Sequence, residues 1–205
     1  LFQKDYHPIW GDSPFEITHF KAGFLGVEPN FKGSRVYTKG LLNQLHYQSL
    51  RFKQMLKNLG YFNSSLWDTL SGEYYRSVKN NNNYLYIFDY WKWKENEIEK
   101  TLLDDYNWEF ADDTKTSWRI GDGTTAFYNY IYHTVAGFTE HDTFRSNQIR
   151  EGEISRETAL KLVERDNEPR YESLIKYFDM IGVDFNTAIN KINSIPKLWH
   201  QNPRF

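Results

Sequence analysis

The sequence predicts a mainly α-helical domain with little strand. Three observations lead there. Apolar residues recur at helical spacing along most of the chain beyond residue 40. Capping residues precede several of these segments, and glycine or proline follows them. Only Tyr84-Leu-Tyr-Ile-Phe-Asp-Tyr-Trp91 has the aromatic and β-branched density of a buried strand or extended segment.

Residues 1–38 carry Gly11, Pro14, Gly23, Gly26, Pro29 and Gly33, and read as irregular structure with short turns or helices. Residues 39–205 read as one helical domain. From Gly40, the residues Leu41, Leu45, Phe52, Leu56 and Leu59 define a helix, with Gly60 as its C-cap. Asn63 or Ser64 caps the next one, which carries Leu66, Trp67, Leu70 and Tyr74. Asn80 to Asn83 is a polar loop. A helix over 95–105 buries Ile98, Leu102 and Leu103, and 109–118 is a polar loop. Helices follow at 124–137, 140–151, 156–166, 169–181 and 185–194. In the fourth of these, Leu174, Ile175, Phe178 and Ile181 form the apolar stripe and Gly182 ends the turn. Asp184 caps the last, whose face is Phe185, Ala188, Ile189 and Ile192, and Pro196 stops it.

At 205 residues, 40% hydrophobic and 18% aromatic, the chain can build a sizeable core. Its 25 Lys and Arg against 27 Asp and Glu leave a formal charge of -2. That balance gives no general attraction to nucleic acid or to membranes. The absence of cysteine excludes disulfides and thiolate metal sites and fits a reducing compartment. No apolar run reaches membrane-spanning length and no signal peptide is visible, so a cytoplasmic location is expected. The chain opens at Leu1 in mid-pattern and reads as a fragment whose amino-terminal part is missing.

Two consecutive segments carry the candidate chemistry. In Arg119-Ile-Gly-Asp-Gly123, glycines let a backbone approach a ligand closely. The helix starting near Thr124 aims its free N–H groups and positive dipole end at the same place, a general anion site to which Arg119 adds a fixed charge. The spacing is neither a Walker loop nor a dinucleotide fingerprint. The alternative is a tight turn with Asp122 as helix cap.

The second segment is the helix after Gly137. Thr139 is its N-cap, with Glu140 and Asp142 at its positive end. His141, Arg145 and Gln148 share one face; Thr143, Asn147 and Arg150 share another. Only Phe144 and Ile149 are apolar. The preceding helix, with Ala126, Phe127, Tyr130, Ile131 and Val135, reads as buried, so a polar neighbour must satisfy its groups through internal hydrogen bonds or a ligand. A metal site is not expected, because Glu140, His141 and Asp142 diverge by about 100° per residue. No Ser/His/Asp triad can be assigned. The aromatic run 84–93 serves a core or stacks a ring. Asn167-Glu-Pro-Arg170 ends one helix and begins the next, or returns Arg170 to the polar helix.

Five runs resemble a known family: Asp89-Tyr-Trp91, Trp108-Glu-Phe-Ala-Asp-Asp-Thr114, Ser117-Trp-Arg-Ile-Gly-Asp-Gly-Thr124, Gly137-Phe-Thr-Glu-His-Asp-Thr-Phe-Arg-Ser-Asn-Gln-Ile-Arg-Glu-Gly152 and Ser155-Arg-Glu-Thr-Ala-Leu160. They resemble the C-terminal half of PP-loop ATP pyrophosphatase proteins, with the N-acetyl sugar amidotransferases of bacterial surface-polysaccharide synthesis as the nearest group. Asparagine synthetase-like domains are more distant. The resemblance spans residues 60–199 and is specific over 117–152. It implies that the full-length protein adenylates its substrate with ATP and Mg2+, releases pyrophosphate, and lets ammonia from a glutaminase partner displace the adenylate. The signature S-G-G-x-D-S of the nucleotide domain is absent here and is expected in an upstream PP-loop domain of the same polypeptide. The helical part would line the sugar-substrate and pyrophosphate side. Arg119, Asp122, Thr124, His141, Arg145, Asn147 and Arg150 are the expected binding residues: the arginines for phosphate, His141 and Asn147 for substrate hydrogen bonds. The alternative is a non-catalytic helical docking module.

Overall fold

A computed structural model of the chain describes residues 9–11, 13, 15, 41–78, 85–116, 118 and 123–198. The expected loop at Asn80 to Asn83 lies outside them, as does most of the irregular segment 1–38. The described part is mainly helical, as its periodicity predicts, with eight α-helices. The backbone gathers into two units, Leu1–Asp12 with Ile17–Tyr90, and Ser13–Glu16 with Trp91–Phe205. The division falls inside the range 39–205 that reads as one domain.

In the first unit, β1 (Ile9–Trp10) pairs in parallel with β2 (Leu85–Tyr86), Ile9 opposite Leu85. β2 is all the strand that the aromatic run forms; a 3-10 turn, Ile87–Asp89, follows at once. Helix α1 spans Leu41–Met55 and α2 spans Ser64–Val78. Gly60 is not the cap of α1. The helix stops earlier, and Gly60 lies within a 3-10 turn, Leu59–Tyr61, where the Asn58 side chain accepts its N–H. An Asx cap competes for the backbone donor that a longer helix would use. Leu45, Phe52, Leu56 and Leu59 are exposed rather than buried as a stripe. Asn63 caps α2, its side chain accepting the Ser65 N–H at 3.0 Å.

The second unit holds α3 (Glu95–Tyr106), α4 (Thr124–Ala136), α5 (Glu140–Arg150), α6 (Arg156–Asp166), α7 (Tyr171–Met180) and α8 (Phe185–Asn193). α3 half-buries Ile98 and Leu102, one helical turn apart. Leu103 is 41% exposed, a correction to the expected stripe, because it sits about 100° further round the helix. α7 begins at Tyr171, two residues beyond Pro169. Asp184 caps α8 by accepting the Thr187 N–H.

Two apolar clusters hold this unit. Ala126 of α4 packs with Leu174 and Phe178 of α7, walled by Phe127, Tyr130, Phe185 and Ile189. Each such fully buried side chain contributes about 1.5–3 kcal/mol. Gly123 makes the approach of α4 to α7 possible. Its φ is 89°, and a Cβ there would lie 2.8 Å from the Cβ of Tyr177. The second cluster joins Phe15, Trp118 and Phe144 with Trp93. Of the aromatic run, Tyr90 and Trp91 are exposed, and only Trp93 meets this core. No described helix is long and apolar enough to cross a membrane.

Candidate functional site

α5 is built from polar groups because its neighbours are polar. Thr139 closes a capping box: its N–H donates to Asp142 Oδ2 at 2.7 Å, and its Oγ1 accepts the His141 N–H at 3.0 Å. Asn167, which ends α6, accepts the Thr139 hydroxyl through Oδ1 and donates from Nδ2 to Asp142 at 2.9 Å. The start of α5 and the end of α6 are therefore tied by four side-chain and backbone links, not by apolar contact.

Arg145 is the hub, 1% exposed. Its Nη1 donates to Glu95 Oε2 of α3 at 2.5 Å and to Gln148 Oε1 at 2.8 Å. Nε and Nη2 donate to Asp166 Oδ2 of α6 at 3.1 and 2.6 Å. Gln148 Nε2 and Trp118 Nε1 complete the shell of Glu95, and Arg165 pairs with the other oxygen of Asp166. Two cations thus meet two carboxylates, and the cluster is neutral as a set. Burial opposes charge on Arg145, but the hydrogen bonds and charges of Glu95 and Asp166 outweigh it and raise its pKa above the ordinary value.

Asp113 is a second anchor. It accepts the backbone N–H of Ser173 at 2.8 Å, the Ser173 hydroxyl at 2.7 Å and Arg170 Nε at 3.2 Å. Burial works to raise its pKa, yet these donors prevail and lower it. Arg170 therefore turns to Asp113 and not to α5.

Between α4, α5 and the turn from α6 to α7 lies a small cleft, bordered by Asn129, His133, His141, Asp166, Asn167 and Arg170. Its enclosed volume of about 20 Å3 admits a water-sized group. His141 is 4% exposed. Burial pushes its pKa down to about 4; Asp166 and Glu140 pull it up, Arg145 and Arg170 down. The imidazole is accordingly neutral at pH 7. Its Nδ1 and the Nδ2 of Asn129 are buried without a hydrogen-bond partner.

This has a measurable consequence. The unfolded chain binds the His141 proton near the ordinary 6.5, the folded chain only near 4. Between those values the unfolded state holds more protons, so stability falls as pH falls and the loss ends near 4. The full loss expected is about 3 kcal/mol. Urea unfolding at stepwise pH measures it, and His141→Asn should flatten this window.

The sequence-predicted residues divide in three. Arg119 and Asp122 lie outside the described residues. His141 borders the cleft, and Arg145 stands behind it with its donors turned to Glu95, Gln148 and Asp166. Thr124 opens α4, half-buried. Asn147 donates from Nδ2 to the carbonyl of Phe15 at 3.0 Å and accepts from exposed Arg150 at 3.0 Å. Glu95, Asp113, Asn129 and Asp166 were not foreseen. The available signal was indirect: a buried helix containing arginine needs carboxylates from elsewhere. Among the described residues no His, Asp and Glu group could hold a metal ion. No family model, curated protein or solved structure matches the chain.

Proposed function

We propose that this chain is the helical, substrate-side portion of a PP-loop ATP-dependent amidotransferase or ligase acting on a sugar-type substrate. The run from Ser117 to Gly152 carries this reading, since the family resemblance is specific there. The reading puts the protein in the cytoplasm, with an upstream PP-loop domain and a glutaminase as partners. The described residues do not fit ATP: the enclosed volume is water-sized, and a phosphate at Arg145 would have to displace Glu95 and Asp166. Nucleotide and Mg2+ belong to the upstream domain in this reading. Arg145 is then a positioning residue that fixes α5. The Arg150 guanidinium, at the surface beside Asn147, is the cation open to a phosphate group.

The test is Arg150→Ala in the full-length protein. Loss of one charge-assisted contact is worth about 1.5–3 kcal/mol, so pyrophosphate release should slow by about tenfold or more, with thermal stability kept. Unchanged release would remove Arg150 from the site. A second reading, a non-catalytic docking module, is favoured by the closure of Arg145 on its own carboxylates. Absence of any binding heat with ATP or pyrophosphate, on the full-length protein, would select it.

A further inference from the structure

The cleft beside His141 has one combination of unmet hydrogen-bonding groups, and that combination specifies its guest. Asn129 stands in the middle of α4 and is 8% exposed. Its Oδ1 accepts the backbone N–H of Glu140 at 3.2 Å. That N–H lies in the first turn of α5 and has no carbonyl of its own helix to meet. It therefore fixes the orientation of the Asn129 amide, since an Nδ2 in the same place would set donor against donor. The NH2 group is left as a buried donor without a partner. His141 offers Nδ1, equally buried and equally without a partner.

The rest of the wall is engaged. Thr139 donates to Asn167 and Asn167 to Asp142. Asp166 is held by Arg145 and Arg165, and Arg170 by Asp113 and Ser173. An anion gains nothing here, because the bordering arginine is already matched by Asp113 and the carboxylate of Asp166 repels it. A cation meets the NH2 hydrogens of Asn129. A neutral group that accepts from an amide and donates to an uncharged imidazole meets both needs, and a hydroxyl does that with a single oxygen. The enclosed space of about 20 Å3 suits one such oxygen and no larger group.

We propose that this cleft is a hydroxyl-binding site, in which Asn129 Nδ2 donates to the oxygen and His141 Nδ1 accepts its proton. The oxygen comes either from one long-lived water or from a hydroxyl of a monosaccharide that reaches in through the open side. The assignment stands whether or not the chain belongs to an adenylating enzyme. It requires His141 to carry its proton on Nε2.

The experiment is NMR on the 15N-labelled protein. The His141 nitrogens report the tautomer, and the Asn129 NH2 protons report the neighbouring oxygen by cross-relaxation. The expected result is an unprotonated Nδ1 and a cross-peak from the Asn129 NH2 to a slowly exchanging water. Glucose is then titrated in. Replacement of the water signal by contacts to sugar protons identifies a sugar hydroxyl; persistence of the water signal identifies a resident water. His141→Phe, which keeps the ring but removes the nitrogens, should abolish the signal in either case. A proton on Nδ1 would make both groups donors and call for a carbonyl oxygen instead, overturning the assignment. So would an Asn129 NH2 that senses neither water nor sugar.

Discussion

Arg145→Ala should lower the unfolding free energy by about 3–5 kcal/mol, the cost of breaking a buried ion cluster from one side. The wild-type cluster brings Glu95, Arg145 and Asp166 out of water together, with side chains 13%, 2% and 1% exposed. Solvation lost by each charge is recovered only through its partners. Without the guanidinium, Glu95 keeps the Trp118 and Gln148 donors, and Asp166 keeps only Arg165. The Asp166 carboxylate then remains buried with a half-exposed partner on one oxygen and none on the other. Arg145→Lys should recover only part of the loss. A single ammonium nitrogen cannot span Glu95, Gln148 and Asp166, which the guanidinium reaches through three nitrogens. The triple variant Glu95→Gln, Arg145→Met, Asp166→Asn removes all three charges and should be more stable than Arg145→Ala alone. Equilibrium urea unfolding followed by tryptophan fluorescence measures the series. A loss below about 1 kcal/mol in Arg145→Ala would mean that solvent reaches the cluster and that the pair behaves as a surface ion pair.

The parts of this fold that are legible in the sequence are those governed by near neighbours. Thr139 as cap of α5, Asp184 as cap of α8, and the apolar face of Leu174 and Phe178 each depend on residues within two turns. The shared face of His141, Arg145 and Gln148 is legible for the same reason, and all three are buried. What that face meets is not legible. Glu95 and Asp166 lie 50 and 21 residues from Arg145, and nothing in their own segments marks them as interior. Glu95 opens a helix, where an acidic residue is expected at the surface. Leu103 errs the other way: it is leucine inside a helix, yet no part of its unit covers it. Gly60 shows a third limit, since a glycine at plausible cap spacing lost to an Asx cap four residues beyond the true helix end.

Phe144→Ala should cost about 3–5 kcal/mol, comparable to Arg145→Ala but by a different route. Phe144 is fully buried and stacks on Trp118 with ring centroids 4.5 Å apart. Trp118 in turn lies 4.4 Å from Trp93 and 6.3 Å from Phe15. Truncation removes the central ring of this stack and opens a cavity among rigid aromatic groups, which relax poorly into the space. The same change should reach the ion cluster. Trp118 donates its indole N–H to Glu95, and Glu95 holds Arg145, so the stack sets the position of the carboxylate that receives the guanidinium. Phe144→Ala and Glu95→Gln should therefore fail to add, with a coupling of about 0.5 kcal/mol or more in a double-mutant cycle. Phe144→Leu, which keeps most of the volume, should cost less and couple less. Strict additivity of Phe144→Ala with Glu95→Gln would show that the aromatic stack and the charge cluster hold α5 independently, and the Trp118 indole would then be a bystander to the placement of Arg145.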